Sequence, residues 1–270
     1  SPINAPSILD LDSDCSLMAW LHRRGHRPAL LDWGPTLPVH ADETLDDYVA
    51  QYVIPLVRRR KRPVHLVGYC LGGTIALAAS CLTRVQSLTL IAAPWQFSAY
   101  PDERRTGLDQ LWQASRSTCE GLAMVPMELV QLGFWTLSRE RLIDKFLEFG
   151  AREPGSAAFN RFIAVEDWAN SGEPLPLAMG RQLFEDFYRD DAPGRGRWTV
   201  TGQAIGPQAI CGPAMQVVSR ADTIVPEACA PAIEITHRLA TGHVGMVIGG
   251  RAPEQLWMTL NSWLRSHPPS

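Results

Sequence analysis

The chain has 270 residues, of which 46% are hydrophobic, and a formal net charge of −3 at pH 7. This length and apolar content fit one large globular domain or two small ones with a full core. The weak negative charge gives no indication of nucleic acid or an anionic membrane as a partner, and no apolar stretch approaches the length needed to cross a bilayer.

Six cysteines are scattered along the chain, and none forms a Cys-x-x-Cys pair. A zinc site is therefore not expected, and neither a metal nor a cofactor is predicted. The pattern favours free thiols in a reducing cytoplasm. The chain begins with Ser1-Pro2 and not with methionine, so we expect the natural N-terminus to lie further upstream.

Short apolar runs alternate with amphipathic ones through the first third of the chain. They predict a helix at Ser16–Arg24 ended by Gly25, a buried strand at Pro28–Trp33, a helix over residues 45–56 that Pro55 kinks or shortens, a strand at Val64–Tyr69, a helix after it, and a strand at Leu88–Ala92. Strands that alternate with helices indicate a parallel α/β sheet.

The pattern changes after Pro94 and becomes mostly helical, without a clear strand, as far as Trp198. Among the large apolar residues of this stretch are Trp112, Met124, Met127, Leu129, Phe134, Trp135, Phe146, Phe149, Phe159, Phe162 and Trp168. A strand signal returns at residues 214–219, and a last helix is predicted from Pro253 to Leu264. We therefore expect an α/β core of residues 1–94 and 206–270, interrupted by a helical cap of residues 95–205 that has its own small core and a face over the site.

The run from Val64 to Gly73 places Cys70 in a Gly-x-Cys-x-Gly motif between a predicted strand and a predicted helix. This is the context of a nucleophile elbow, in which a strained turn presents the nucleophile above the sheet. The helix N-terminus favours a thiolate, and the backbone N–H of Leu71 is placed to bind an oxyanion. The alternative is a buried structural cysteine beside a glycine-rich turn.

A nucleophilic cysteine requires a base and an orienting carboxylate, which follow the nucleophile in the chain order of this elbow. Of the downstream histidines, His267 lies in the C-terminal tail, His237 in an exposed strand-like run, and His243 in a glycine-flanked loop. We favour His243. Asp222 follows the predicted strand 214–219 and is the candidate acid, the alternative being a helix-capping or turn residue.

Several segments around these residues carry a family resemblance. They are Pro2-Ile3-Asn4 with Ile8-Leu9-Asp10-Leu11, the run from Gly25-His26 to Asp32-Trp33-Gly34, Leu45-Asp46-Asp47-Tyr48, Gly68-Tyr69-Cys70-Leu71-Gly72-Gly73, the run Ser219 to Pro226, and Gly242-His243-Val244-Gly245. With them the chain resembles the polyhydroxyalkanoate synthases of the α/β-hydrolase superfamily over nearly its whole length.

The resemblance implies an α/β-hydrolase fold and a cysteine acyltransferase that takes hydroxyacyl groups from coenzyme A thioesters. Cys70, Asp222 and His243 would form the catalytic triad, and Leu71, with Ile3 as a second donor, would form the oxyanion hole. The substrate would be a small acyl-CoA or a polyester. The resemblance also suggests a homodimer and association with polymer granules in the cytoplasm.

Three features depart from the family pattern. Thr223 follows the candidate acid where synthases commonly have histidine, the stretch Asp167-Trp168-Ala169-Asn170 keeps only part of the Trp-Asn-x-Asp signature, and the family usually carries an N-terminal region before the matched segment. These departures leave open a hydrolase with the same triad, such as a thioesterase, an esterase or a polyester depolymerase. A non-catalytic scaffold that binds a partner or a granule is the third interpretation.

Overall fold

A computed structural model describes residues 1–133, 146–147 and 149–268. The strands are β1 (His65–Tyr69), β2 (Ser87–Ile91), β3 (Met124–Val125), β4 (Leu175–Pro176), β5 (Thr199–Val200), β6 (Gln203–Ala204), β7 (Ala214–Ser219) and β8 (Ile235–Leu239). The principal helices are α1 (Leu17–Arg23), α2 (Leu45–Asp47, continued by Tyr48–Val53 and Ile54–Arg58), α3 (Leu71–Leu82), α4 (Asp102–Leu122), α5 (Ala157–Asn170), α6 (Leu177–Arg181, continued by Gln182–Arg189), α7 (Gly245–Ile248) and α8 (Pro253–Trp257, continued by Met258–Ser266).

Strands β1, β2, β7 and β8 form one parallel sheet in the spatial order β1-β2-β7-β8. Buried side chains of α2 and α3 belong to one hydrophobic cluster and those of α1 and α8 to another, so helices flank the sheet on two sides. The predicted parallel α/β architecture is thereby confirmed. All five residues of β2 are buried, as expected for an inner strand covered on both faces.

Helix α1 begins and ends where the sequence predicts. The Ser16 hydroxyl caps it by accepting the N–H of Ala19 at 2.8 Å, and Gly25 follows it with φ of +87°.

The predicted kink or early end of α2 at Pro55 does not occur as a break in the helix. The turns directly before Pro55, Tyr48–Val53, widen to a π-helix, which accommodates a residue that has no N–H to donate.

The predicted strand at Pro28–Trp33 is wrong. The segment joins no sheet and is only partly buried. Residues 28–31 instead form one wall of a cavity whose other wall is β1. An apolar run becomes a strand only where a neighbouring backbone lies within about 5 Å, and the cavity separates this run from the edge of β1.

The chain between β2 and β7 contains α4, α5 and α6. The sequence predicted no strand there, but β3 pairs with β4 and β5 with β6 in two short antiparallel ladders. Trp112 of α4 is fully buried and stacks on Phe184 at a centroid distance of 5.3 Å, and both belong to the same hydrophobic cluster as the buried side chains of α2 and α3. Phe134 and Trp135 lie outside the described residues.

Among the residues that the structure describes, no helix is both long and apolar enough to span a membrane.

Candidate active site

Cys70 lies in the turn between β1 and α3, with φ of +55° and ψ of −134°. A positive φ at a non-glycine residue costs about 1–3 kcal/mol and persists only where the surroundings fix it. Here the Cys70 N–H donates to the carbonyl of Ile91 on β2 at 2.9 Å. The strained turn is therefore tied to the neighbouring strand, and the thiol is half-buried at the N-terminus of α3.

The glycines around Cys70 are required by close packing. A Cβ atom on Gly68 would lie 2.5 Å from the carbonyl oxygen of Gly72, and one on Gly73 would lie 2.5 Å from the Cβ of Ala93. Real Cβ atoms do not approach other atoms this closely. The two glycines thus allow β1, α3 and the end of β2 to meet at the turn that carries the thiol.

His243 and Asp222 meet at the carboxyl end of the sheet. The imidazole Nδ1 donates to Oδ2 of Asp222 at 2.7 Å, and the Asp222 side chain is fully buried. The other carboxylate oxygen, Oδ1, accepts the backbone N–H groups of Ile224 and Val225 at 2.8 and 2.9 Å. These three hydrogen bonds fix the carboxylate and leave Nε2 of His243 for Cys70.

The two loops that carry Asp222 and His243 are joined through Ser219, the buried last residue of β7. Its hydroxyl lies within hydrogen-bonding distance of the carbonyls of Leu239 and Thr241, and it accepts the N–H of Ala221. One side chain at the end of β7 therefore fixes the positions of the two loops relative to each other.

Cys70 and His243 act on each other electrostatically. Burial opposes ionisation of the thiol, but the nearby His243, with a smaller contribution from a hydrogen bond of the Leu71 N–H, brings the pKa of Cys70 below its usual value. Burial also opposes the charged imidazole. The Cys70 thiolate and the hydrogen bonds to Asp222 and Cys70 outweigh it and raise the pKa of His243. The two shifts favour transfer of the Cys70 proton to His243.

The structure places the two candidate oxyanion donors differently. The N–H of Leu71 is at the first position of α3 and points to the sulfur of Cys70. Ile3 is buried beside the same cavity, but its N–H donates to the hydroxyl of Ser1 at 3.1 Å. Leu71 is thus the donor whose geometry suits an oxyanion next to the thiol.

A cavity of about 1530 Å³ opens beside Cys70 and His243 and continues along β1. Trp168 and Asn170 of α5, within the partial family signature, line it from the chain between β2 and β7. The indole Nε1 of Trp168 donates to the carbonyl of Ala5 at 2.7 Å, and the side chain of Asn4 donates to the carbonyl of Ala169 at 3.1 Å. Helix α5 and the N-terminal segment therefore meet at the lining of the cavity.

The remaining sequence candidates lie elsewhere. His237 is exposed on β8, and His267 packs against Trp263 at the end of α8. The carbonyl of Thr223, which occupies the place of the family histidine, accepts a hydrogen bond from Arg104 of α4 at 2.8 Å. Sequence reasoning missed that Tyr69 contacts His243, through a hydrogen bond of its hydroxyl to the His243 carbonyl and through stacking of the two rings. An aromatic residue directly before the cysteine was a sequence signal for such a contact, but the local pattern does not identify its partner, which is distant in the chain.

Comparisons with known proteins agree with this architecture. The model of the alpha/beta hydrolase family matches residues 13–256. The poly(3-hydroxyalkanoate) polymerase subunit PhaC of Haloferax mediterranei is 26% identical over 277 residues, which cover 97% of this chain and 56% of that protein. The corresponding subunit of Haloarcula marismortui is 25% identical, with 97% and 58% covered. The chain thus spans a little over half the length of these two relatives.

Solved structures place the fold in the same group. An esterase of Thermogutta terrifontis superposes with a TM-score of 0.56 at 15% identity, covering 98% of this chain and 87% of that one. A monoacylglycerol lipase of Paleococcus ferrophilus superposes with a TM-score of 0.54 at 13% identity, covering 93% and 88%. On the sheet, the turn at Cys70 and the family match together, the chain belongs to the alpha/beta hydrolase family.

Proposed function

We propose that the chain is a cysteine acyltransferase similar to the polyhydroxyalkanoate synthases and that it acts on hydroxyacyl-CoA thioesters. The observation that carries the proposal is the convergence of Cys70, His243 and Asp222 at one end of the sheet, with a lowered pKa at the thiol. The similarity to polymerase subunits over 97% of the chain supports the substrate class.

In the first half-reaction, Nε2 of His243 takes the proton of the Cys70 thiol while Asp222 stabilises the resulting imidazolium. The sulfur attacks the thioester carbonyl, and the N–H of Leu71 donates to the oxyanion that forms. Collapse of this intermediate breaks the bond to the CoA sulfur, which leaves with the proton from His243. The product is an acyl-Cys70 thioester, and because thioester exchange is nearly isoenergetic, a thiol nucleophile suits this step.

In the second half-reaction, His243 accepts the proton of an acceptor hydroxyl group. The hydroxyl oxygen attacks the acyl-Cys70 carbonyl, an ester bond forms, and the sulfur of Cys70 leaves and regains its proton from His243. Water in place of the hydroxyl would release the free acid instead. The roof of the cavity decides between the two acceptors, because it controls access to the acyl group.

Residues 95–205 form this roof in our proposal, as a cap on a core of residues 1–94 and 206–270. Trp168 and Asn170 line the cavity from α5, and α4 reaches the loop after Asp222 through the hydrogen bond from Arg104 to Thr223. The cap therefore touches both the cavity and the loop that carries the acid.

A homodimer and association with polymer granules in the cytoplasm complete the proposal on the strength of the family resemblance. Sedimentation of the protein alone measures the first, and co-sedimentation with polyester particles measures the second. A monomer in the first experiment, or no binding to particles in the second, would remove that part of the proposal.

Incubation with 3-hydroxybutyryl-CoA tests the main proposal. We expect release of CoA thiol and a polymeric ester product from the unmodified protein, and neither from Cys70→Ala. Cys211→Ala is the matched control, because Cys211 is exposed and distant from the cavity lining, and it should keep full activity. Release of free acid without polymer would replace the synthase by a hydrolase, and full activity of Cys70→Ala would refute the mechanism.

A further inference from the structure

We infer that Tyr69 is a positioning residue that holds His243 in the orientation in which it pairs with Cys70, an inference that rests on the proposed function. Tyr69 is the last residue of β1 and directly precedes Cys70 in the chain. Strand β1 and the turn that follows it thus place Tyr69 beside His243 and close to the thiol of Cys70.

Tyr69 contacts His243 in two ways. Its hydroxyl donates to the backbone carbonyl of His243 at 3.2 Å. Its ring stacks on the imidazole, with a centroid distance of 4.9 Å and an angle of 29° between the planes. Burial raises the pKa of Tyr69 well above its usual value, so the hydroxyl stays protonated and able to donate.

The stacking contact supplies a restraint that the hydrogen bond to Asp222 lacks. The hydrogen bonds of His243 to Asp222 and Cys70 fix two points of the imidazole but leave its plane free to tilt about the line that joins them. Gly242 directly precedes His243 and gives its loop additional backbone freedom. The face of Tyr69 removes the rotation, and its hydroxyl ties the backbone of the loop to β1.

The contact also affects the charge of the pair, because the face of an aromatic ring attracts a cation and the Tyr69 ring lies against the imidazolium. The other groups that act on Cys70 and His243 are Asp222 from the loop after β7, and Tyr100 and Tyr188 from the chain between β2 and β7. Only the Tyr69 ring is stacked on His243 among the described residues.

The test measures the rate at which iodoacetamide alkylates Cys70 across a pH range, resolved by peptide mass so that the other cysteines do not contribute. Tyr69→Leu removes both contacts, Tyr69→Phe keeps the ring and removes the hydroxyl, and Leu256→Ala is the control. Leu256 is fully buried in the same hydrophobic cluster as Tyr69 but does not line the cavity, so its truncation lowers stability without touching the pair.

We expect Tyr69→Leu to move the alkylation profile to higher pH and to slow the reaction about 3- to 10-fold at pH 6. Tyr69→Phe should keep the profile of the unmodified protein, whereas amide hydrogen exchange over residues 240–245 should accelerate because the bond to the His243 carbonyl is gone. Leu256→Ala should lower the Tm and leave the profile in place.

A folded Tyr69→Leu protein with an unchanged profile would overturn the inference. If Tyr69→Leu does not fold, Tyr69→Phe decides: faster exchange over residues 240–245 supports the inference and unchanged exchange overturns it. Alkylation needs no acyl substrate. A protein that shifts its profile as expected but never releases CoA would therefore refute the proposed function and leave the role of Tyr69 intact.

Discussion

The substitution Asp222→Asn examines how the carboxylate controls the tautomer of His243. Oδ1 of Asp222 accepts two backbone N–H groups, and Oδ2 accepts Nδ1–H of His243. An asparagine keeps the shape but must turn its only oxygen towards the two N–H groups, since its own NH₂ would oppose them. The NH₂ then faces Nδ1, which has to accept, and the imidazole proton moves to Nε2.

The expected loss of activity follows from the position of the imidazole proton on His243. With Nε2 protonated and neutral, His243 cannot take the proton of Cys70. In a serine triad the same substitution costs about 10⁴-fold in kcat. A thiol ionises more readily than a serine hydroxyl, so we expect a smaller loss, about 10³-fold or about 4 kcal/mol of transition-state stabilisation.

CoA release from 3-hydroxybutyryl-CoA measures this loss, with Asp191→Asn as the matched control. Asp191 is also a buried carboxylate that accepts two backbone N–H groups, from Phe97 and Gly194, but it has no histidine partner. Its φ of +50° suits asparagine. We expect the control to retain activity within about 3-fold. An Asp222→Asn protein with more than a tenth of the original kcat would refute the tautomer argument.

Three further predictions concern the thiol, the turn and the roof of the cavity. The pKa of Cys70 lies below its usual value, so its thiolate persists as the pH falls. Iodoacetamide should therefore modify Cys70 about 10-fold faster than the exposed Cys211 at pH 6.5. Equal rates would contradict the lowered pKa. Gly73→Ala, whose Cβ would lie 2.5 Å from that of Ala93, should lower the Tm by about 3–10 °C in calorimetry, and an unchanged Tm would mean that the turn relaxes freely. Trp168→Phe removes the hydrogen bond to Ala5 and should raise the KM for the acyl-CoA up to about 10-fold with little change in kcat, whereas a loss in kcat alone would place Trp168 outside the binding step.

Local sequence patterns were sufficient for the parts of the structure that local chemistry determines. The Gly-x-Cys-x-Gly motif predicted the turn at Cys70, because only glycine tolerates the close contacts that the structure has at Gly68 and Gly73. The order of strand, Asp222 and His243 predicted which groups would meet, because the carboxyl ends of parallel strands lie at one edge.

Features that depend on distant neighbours could not be predicted in this way. The run Pro28–Trp33 has the composition of a strand, but strand formation requires a partner backbone, and periodicity carries no information about partners. The contact between Tyr69 and His243 and the bond between Trp168 and Ala5 join residues far apart in the chain. Their existence depends on how the loops close over the sheet.

The connection between β2 and β7 has a consequence for how the protein folds and diversifies. Leu88 of β2 pairs with Ala214 of β7, so two neighbouring strands of the sheet are joined by the longest connection in the chain. The entropy of closing a loop grows only with the logarithm of its length, and doubling this connection would cost about 0.6 kcal/mol. Lengthening this connection in its exposed loops therefore costs the sheet little loop-closure entropy. The cost is kinetic, since a non-local pairing at the centre of the sheet raises the contact order and slows folding.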